Sequence, residues 1–336
     1  MSLEQWLQEE LGLSSGFVAS LFHERRVRCG GREARPNSPI RAGIKIWLHG
    51  TSPREGQVPP SPPSLQSSSG GGQALVSSTE PLSPAVLYED EHILIVDKPA
   101  GLLVHSDGTG VSDTLMTRVE EYFRACGEDV HPFHVHRLDK GTTGCLLFAK
   151  HEFAARTLDS MMVHRQIHRT YVAVVSGRLP LAAGRFEAPI GRDRHRAGAY
   201  RVSVTGKAAI TNYRQLRSRA DETRQGPKAR QAYRARQGSG ADEEVISLVT
   251  CSLETGRTHQ IRVHLSAAGC PIVGDELYGG KPNGDGWEWT GNGLALHAIH
   301  LSLVHPYSKE RLNIEAPLPE PLKRLMEEFG WQDAVL

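Results

Sequence analysis

The segment HVHRLDKGTTG, residues 134–144, runs directly into the apolar segment CLLFA, residues 145–149. Its glycines and threonines predict a tight loop, and the apolar run predicts a buried strand that anchors the loop. A carboxylate on such a loop, here Asp139, is well placed to act as a nucleophile or a general base. The alternative is that Asp139 only caps the turn and pairs with Arg137 or Lys140.

Around this loop, short β-branched segments outnumber helical ones and do not follow a regular strand–helix–strand alternation. This pattern predicts an α+β domain with a central mixed, mainly antiparallel sheet. Candidate strands are Ile93–Val96, Cys145–Ala149, Tyr171–Ser176, Arg201–Thr205, Ala209–Leu216, Val245–Leu253 and Gln260–His264, and candidate helices are Val111–Ala125 and Phe153–Val163.

Three segments together are similar to the signature motifs of the RluA-like pseudouridine synthases. They are DKPAGLLVH at 97–105, HRLDKGTTG at 136–144 and GRTHQIRVH at 256–264. The resemblance extends over Ala85–Pro319 and implies the pseudouridine synthase fold. Two positions depart from the family pattern: Arg169 replaces the usual lysine two residues before the conserved tyrosine, and Thr143 replaces the usual serine. Both departures are mild, because they preserve the charge or the hydroxyl.

The resemblance implies an enzyme that isomerises uridine in ribosomal or transfer RNA to pseudouridine. It implies Asp139 as the catalytic carboxylate, Tyr171 as the aromatic ring that stacks on the target base, and Arg262 as the ion-pair partner of Asp139. These roles agree with elementary chemistry, since burial alone would neutralise an aspartate and a nearby guanidinium favours the charged form. No step of the isomerisation requires a redox centre or a Lewis acid, so we expect no cofactor and no metal.

Several basic side chains near these motifs are candidates for RNA binding. The target base must leave its stack, and Arg137, next to the catalytic loop carboxylate, is the candidate to fill the vacated space. A contact from Arg137 to a phosphate is the alternative. We also assign RNA binding to His136, Arg257 and His259.

Residues 1–50 combine two short amphipathic helices with short strands and resemble a diverged alpha-L RNA-binding domain. Arg25 and Arg26, at the turn between helix and strand, are its candidate phosphate contacts. The alternative is that this unit is a docking or stabilising appendage.

The segment 51–84 is rich in Pro, Ser and Gly and predicts a flexible linker to the catalytic domain, residues 85–325. Within that domain, residues 214–236 form a segment rich in Arg and Lys. This insertion either follows an RNA backbone or is a solvated loop.

Composition restricts the remaining function classes. The 39 Lys and Arg against 38 Asp and Glu give a net charge of +1, so any attraction to RNA must come from local clusters. Five scattered cysteines without a C-x-x-C pair argue against disulfides and a thiolate zinc site. We expect a cytoplasmic protein without membrane segments, and the resemblance favours a monomer.

Two other functional classes remain open. A non-catalytic RNA-binding or ribosome-assembly protein could keep the fold, although it would be free to lose Asp139, Tyr171 and Arg262. A carboxylate-dependent hydrolase would need a second carboxylate or a metal cluster near Asp139, and the sequence offers no obvious one.

Overall fold

The computed structural model describes residues 1–50, 83–106, 108, 112–219, 245–284 and 287–334. The predicted linker therefore lies outside the described residues except for its last two positions. Most of the basic insertion, residues 220–236, also lies outside them, while its first residues belong to a strand.

A small N-terminal unit contains two helices and a three-stranded sheet. The helices are α1 (Leu3–Glu9) and α2 (Ser15–His23), and the strands are β1 (Val27–Cys29), β2 (Arg32–Glu33) and β3 (Ile46–Leu48), in the order β2-β1-β3. Serines start both helices, because the side chains of Ser2 and Ser14 accept backbone N–H groups of the first turn.

Ten strands form the central sheet. They are β4 (Ala85–Glu89), β5 (Ile93–Lys98), β6 (Phe133–His134), β7 (Thr143–Ala149), β8 (His168–Ser176), β9 (Ala183–Glu187), β12 (Ile210–Ser218), β13 (Ile246–Leu253), β16 (Leu296–Val304) and β17 (Arg311–Glu315). The main path is β4-β5-β7-β16-β8-β13-β12-β9, with β6 on β7 and β17 on β16. All pairs are antiparallel except β7–β16, so the prediction of a mixed, mainly antiparallel sheet is confirmed.

Two further strand pairs and four helices complete the domain. The pairs are β10 (Ile190–Arg192) with β11 (Tyr200–Val202), and β14 (Asn283–Gly284) with β15 (Trp287–Glu288). The helices are α3 (Leu115–Ala125), α4 (Glu152–Val163), α5 (Gln260–Ala267) and α6 (Glu320–Glu328), with a short 3₁₀ turn at Glu276–Tyr278. No helix in the described ranges is both long and apolar enough to span a membrane.

The sheet carries apolar side chains on both faces. In β5, Leu94 and Val96 join the core beneath α3, α5 and α6, while Ile93 and Ile95 face the core beneath α4. Alternate residues of a strand point to opposite faces, so this continuous apolar strand is covered on both sides.

The prediction of a strand at Gln260–His264 is wrong, because these residues begin helix α5. Ile261 and Val263 alternate with polar residues, which imitates a strand. Every residue from Gln260 to Leu265 is buried, so this part of the helix has no solvent-facing side and shows no helical periodicity.

The N-terminal unit packs against α4. Phe153 of α4 joins the apolar core of the unit, together with Leu7 and Leu21. The hydroxyl of Thr157 donates to the Leu11 carbonyl at 2.7 Å. These contacts agree with the docking alternative for residues 1–50.

Candidate active site

The loop that carries Asp139 is held by backbone hydrogen bonds from three directions. The N–H of Thr142 donates to the Asp139 carbonyl, the N–H of Gly101 donates to the Lys140 carbonyl, and the N–H of Leu294 donates to the Gly141 carbonyl at 2.9 Å. The loop therefore has the rigid anchoring that its glycines and its following strand predict.

Lys98 fixes the same loop from below. Its side chain is fully buried, and its ammonium donates to the carbonyls of Pro99, Lys140 and Thr142 at 2.9, 3.1 and 2.8 Å. Burial lowers the pKa of Lys98 to about 7, and the carboxylates of Asp139 and Asp97 oppose that shift. Sequence reasoning assigned no role to Lys98, although it lies inside the first motif.

Gly144 sets the close approach of β7 to β16 behind the loop. Its φ is +106°, and a Cβ at this position would lie 2.3 Å from the Ala298 carbonyl oxygen. Any other residue would push the two strands apart, so the final glycine of the loop motif is a packing requirement.

Arg262 joins two carboxylates in the site. Its Nη1 donates to Asp139 Oδ2 at 3.0 Å, while Nε and Nη2 form a bidentate pair with Asp275 at 2.7 and 2.9 Å. The side chains of Asp139 and Asp275 are 18% and 1% exposed, so only Asp139 reaches the pocket. A guanidinium is suited to this double role because it presents five donors in one plane.

Asp275 was not identified from the sequence. It stands in the segment GCPIVGDELYG, residues 269–279, within the range Ala85–Pro319 over which the family resemblance extends. The sequence did contain a signal for Asp275, namely an acidic residue among apolar residues and glycines. An aspartate in such a segment is expected to be buried, and a buried carboxylate needs a cationic partner.

His259 lies on the other side of Asp139. It adopts a left-handed backbone conformation, with φ of +57°, immediately before α5. Its Nδ1 is 2.8 Å from the hydroxyl of Tyr278, and its Nε2 is 4.0 Å from Asp139 Oδ1. Burial lowers the pKa of His259, which favours the neutral form of its ring.

Tyr278 connects this histidine to Arg262. The Arg262 guanidinium lies over the Tyr278 ring, 4.9 Å from its centre, which is a cation–π distance. The Tyr278 hydroxyl also accepts the N–H of Tyr200 at 2.8 Å. The phenol therefore holds both His259 and Arg262 in place.

One pocket brings the sequence-predicted residues together. Asp139, Tyr171 and Arg262 all line it, and so do Arg137, Arg257 and His259. Tyr171 is only 4% exposed, and burial raises the pKa of its phenol. The pocket thus combines one carboxylate, one aromatic ring and several cationic or neutral donors, which suits the enclosure of a flat, polar base.

His136 does not line this pocket, so its assignment to RNA binding stays a prediction without support from the pocket. It is 7% exposed, and its Nε2 accepts the N–H of Leu147 at 3.2 Å. Burial, followed by the charge of Arg169, lowers the pKa of His136 to about 3. The ring supports the loop from behind as a neutral group.

Arg26 is also buried, which contradicts its assignment as a phosphate contact. It forms ion pairs with Glu152 at 2.7 Å and Glu24 at 3.2 Å, and its guanidinium lies between the rings of Phe17 and Phe153. The basic residues at the turn suggested a phosphate contact, but the sequence of the turn does not show these partners, because Glu152 and Phe153 belong to α4.

Arg25 remains a candidate for RNA binding. Its side chain is 77% exposed and forms a weakly held ion pair with Glu33 at 3.4 Å.

Among the described residues, no group of three or more His, Cys, Asp or Glu is arranged to hold a metal ion.

Comparisons with known proteins identify the family. Residues 92–267 match the family model described as RNA pseudouridylate synthase. The chain is 38% identical to the uncharacterized RNA pseudouridine synthase YhcT of Bacillus subtilis, over 73% of this chain and 72% of the relative. It is 39% identical to the ribosomal large subunit pseudouridine synthase D of Xanthomonas campestris, over 72% of this chain and 68% of the relative.

A solved structure shows the same fold. Human RNA pseudouridylate synthase domain containing 1 superposes with a TM-score of 0.54 at 23% identity, over 75% of this chain and 90% of the human chain. The chain therefore belongs to the RNA pseudouridylate synthase family, and it is an isomerase that converts uridine in RNA to pseudouridine.

Proposed function

We propose that this enzyme isomerises one or more uridines of large-subunit ribosomal RNA, with Asp139 as the essential carboxylate. The observation that carries the assignment of Asp139 is its ion pair with Arg262, at 3.0 Å, in the pocket that Tyr171 also lines. The relatives named for the ribosomal large subunit support the choice of RNA. Transfer RNA is the second candidate substrate.

The reaction breaks the N1–C1′ bond, rotates the freed uracil and joins it again through C5. The base must not escape during the rotation, so the site has to enclose it. Leu253 and Leu296 add apolar side chains to the lining of the pocket. Asp139 could attack C6 or C1′, or remove the 2′ proton, and all three routes need a carboxylate at this position.

Arg262 and Tyr171 have distinct roles in this proposal. The Arg262 guanidinium keeps the carboxylate of Asp139 aimed into the pocket, while the Tyr171 ring stacks on the uracil. The base must first leave the RNA stack, at a cost of roughly a few kcal/mol. Arg137 is exposed beside Asp139 and is our candidate to fill the vacated space or to bind a phosphate.

We further propose that the enzyme acts as a monomer in the cytoplasm without a cofactor, as its resemblance to the family implies. The exposed cations of the N-terminal unit, Arg25 among them, would then contact RNA beyond the pocket. Arg257 and His259 would contact it inside the pocket, where both side chains lie.

The test compares the wild-type protein with Asp139→Asn on unmodified transcripts of large-subunit ribosomal RNA and on transfer RNA. Pseudouridines are mapped after incubation, and RNA affinity is measured in parallel. We expect the variant to bind RNA and form no pseudouridine. Asp113→Asn is the matched control, because Asp113 is exposed and pairs with Arg118 outside the pocket.

Two results would contradict the proposal. Pseudouridine formation by Asp139→Asn at near the wild-type rate would remove Asp139 from the chemistry. Modification of transfer RNA alone would show that the ribosomal substrate is wrong.

A further inference from the structure

One buried cation in the catalytic domain has no side-chain partner among the residues that the structure describes. Lys150 pairs with two glutamates, and the other buried basic residues have the carboxylates or carbonyls described above. Arg169 is only 8% exposed, its side chain forms no ion pair and no hydrogen bond with any residue that the structure describes, and its Nε is completely buried. The buried basic residues are Arg26, Lys98, Lys150, Arg169 and Arg262.

An unpaired guanidinium in such a place is costly. Arginine stays charged in proteins and has five N–H donors, so it cannot avoid the cost by losing a proton. Buried charges are normally paired, and a chain gains nothing in stability from leaving Arg169 alone. The missing acceptor is therefore expected to come from a ligand.

The position of Arg169 indicates which ligand this is. Arg169 and Tyr171 are two residues apart on β8, so their side chains leave the strand on the same face. Tyr171 lines the pocket of Asp139. A Cβ on Gly256 would lie 3.4 Å from Arg169 Nη1, which places the guanidinium beside the backbone that leads to Arg257.

A second donor without a partner interacts with Arg169. His136 accepts the Leu147 N–H at Nε2, so its neutral ring carries the proton on Nδ1. That Nδ1 is buried and has no hydrogen-bond partner in the described part of the chain. The charge of Arg169 also helps to lower the pKa of the His136 ring, so the two donors act on each other electrostatically.

We propose that Arg169 binds a phosphate of the RNA backbone next to the target uridine. A phosphate supplies the negative charge that the guanidinium lacks, and its oxygens accept from the planar fork of an arginine. A uracil carbonyl would accept a hydrogen bond but would leave the charge uncompensated. The inference rests on the proposed function only in taking RNA as the ligand.

The first experiment measures binding of a short oligouridylate across a range of salt concentrations. Arg169→Met keeps a long apolar side chain and removes the charge. We expect its affinity at low salt to fall by roughly tenfold to a hundredfold, as for the loss of a charged hydrogen bond. The slope of log affinity against log salt should become shallower by about 0.7, the value for one phosphate contact to a single strand.

Two variants serve as controls for this measurement. Arg169→Lys keeps the charge and should retain the salt slope with part of the affinity. Arg324→Met removes an exposed arginine that pairs with Glu320 on α6, and it should bind like the wild type. An unchanged salt slope in Arg169→Met would overturn the proposal.

The second experiment is thermal melting without RNA. Removing an unpaired buried charge should leave the melting temperature of Arg169→Met equal to or above that of the wild type. A lower melting temperature combined with wild-type RNA affinity would show that Arg169 is a structural residue. Binding needs no turnover, so a wild-type protein that binds through Arg169 but forms no pseudouridine would contradict only the proposed function.

Discussion

Replacing Asp275 by Asn should separate the stability of the site from its chemistry. Asp275 makes two charge-assisted hydrogen bonds to Arg262 and is 1% exposed, whereas Asp139 makes one and is 18% exposed. We therefore expect Asp275 to be the anchor of the guanidinium and Asp139 to be the group that it orients. Each substitution should then damage a different property.

The expected magnitude follows from the pairing. Removing one partner of a buried ion pair costs roughly 3–5 kcal/mol. Asparagine keeps one acceptor and Arg262 keeps Asp139, so we expect the low end, about 3 kcal/mol. For a domain of this size, that loss lowers the melting temperature by roughly 6–12 °C. Asp139→Asn leaves the bidentate pair intact and should cost only about 1 kcal/mol.

Activity should show the opposite order. Asp139→Asn removes the reacting carboxylate and should abolish pseudouridine formation. Asp275→Asn releases Arg262 from its anchor, and the resulting misplacement of Asp139 should lower kcat by roughly tenfold to a hundredfold. Thermal melting and single-turnover pseudouridine assays measure the two effects on the same preparations.

Glu276→Gln is the matched control, since Glu276 is the exposed neighbour of Asp275. It should melt and react like the wild type. An Asp275→Asn protein that melts within about 1 °C of the wild type would refute the anchoring role, because that shift corresponds to well under 1 kcal/mol. Greater destabilisation by Asp139→Asn than by Asp275→Asn would reverse the assignment.

Two further predictions concern the other buried cations. Arg26→Ala should lower the melting temperature, because it removes the cation that lies closest to Glu152 among the described residues. Arg25→Ala should melt like the wild type and bind RNA more weakly, because Arg25 is exposed. Thermal melting and RNA-binding assays on both variants check these outcomes. Burial lowers the pKa of Lys98 to about 7, and the unfolded chain keeps this proton to about pH 10. The wild type should therefore gain stability from this group as pH rises between those values, and Lys98→Met should lose that part of the slope while lowering kcat, as measured by denaturation at several pH values and by kinetics.

The sequence predicts the parts of the fold that repeat a simple pattern. The strands at 93–98, 143–149 and 246–253 are short apolar runs bounded by turns, and all three were identified to within two residues. Helix α5 was missed, because enclosure on every side removes the periodicity from which a helix is identified. Tertiary burial, and not local propensity, determines how residues 260–267 fold.

The residues of the candidate site were predictable where they belong to a family motif, and not where their role depends on a contact with a distant residue. The three motifs named Asp139 and Arg262, and the structure brings both to one pocket. Lys98 lies in the first motif and Asp275 within the range of the resemblance, but their roles depend on which groups the fold places beside them. Neighbouring residues in the sequence do not reveal these contacts, since Asp275 is thirteen residues from Arg262 and Lys98 is forty-four residues from Thr142.

The buried arginines show why charge in a sequence does not specify function. Arg26 meets two glutamates, and both belong to the protein, so it holds the N-terminal unit on α4. Arg262 meets two aspartates, one of them at the pocket, so it links structure to chemistry. Arg169 meets no carboxylate among the described residues, and its charge is left for an anion from outside. The same side chain thus docks, orients or binds according to which carboxylates, if any, the fold places around it.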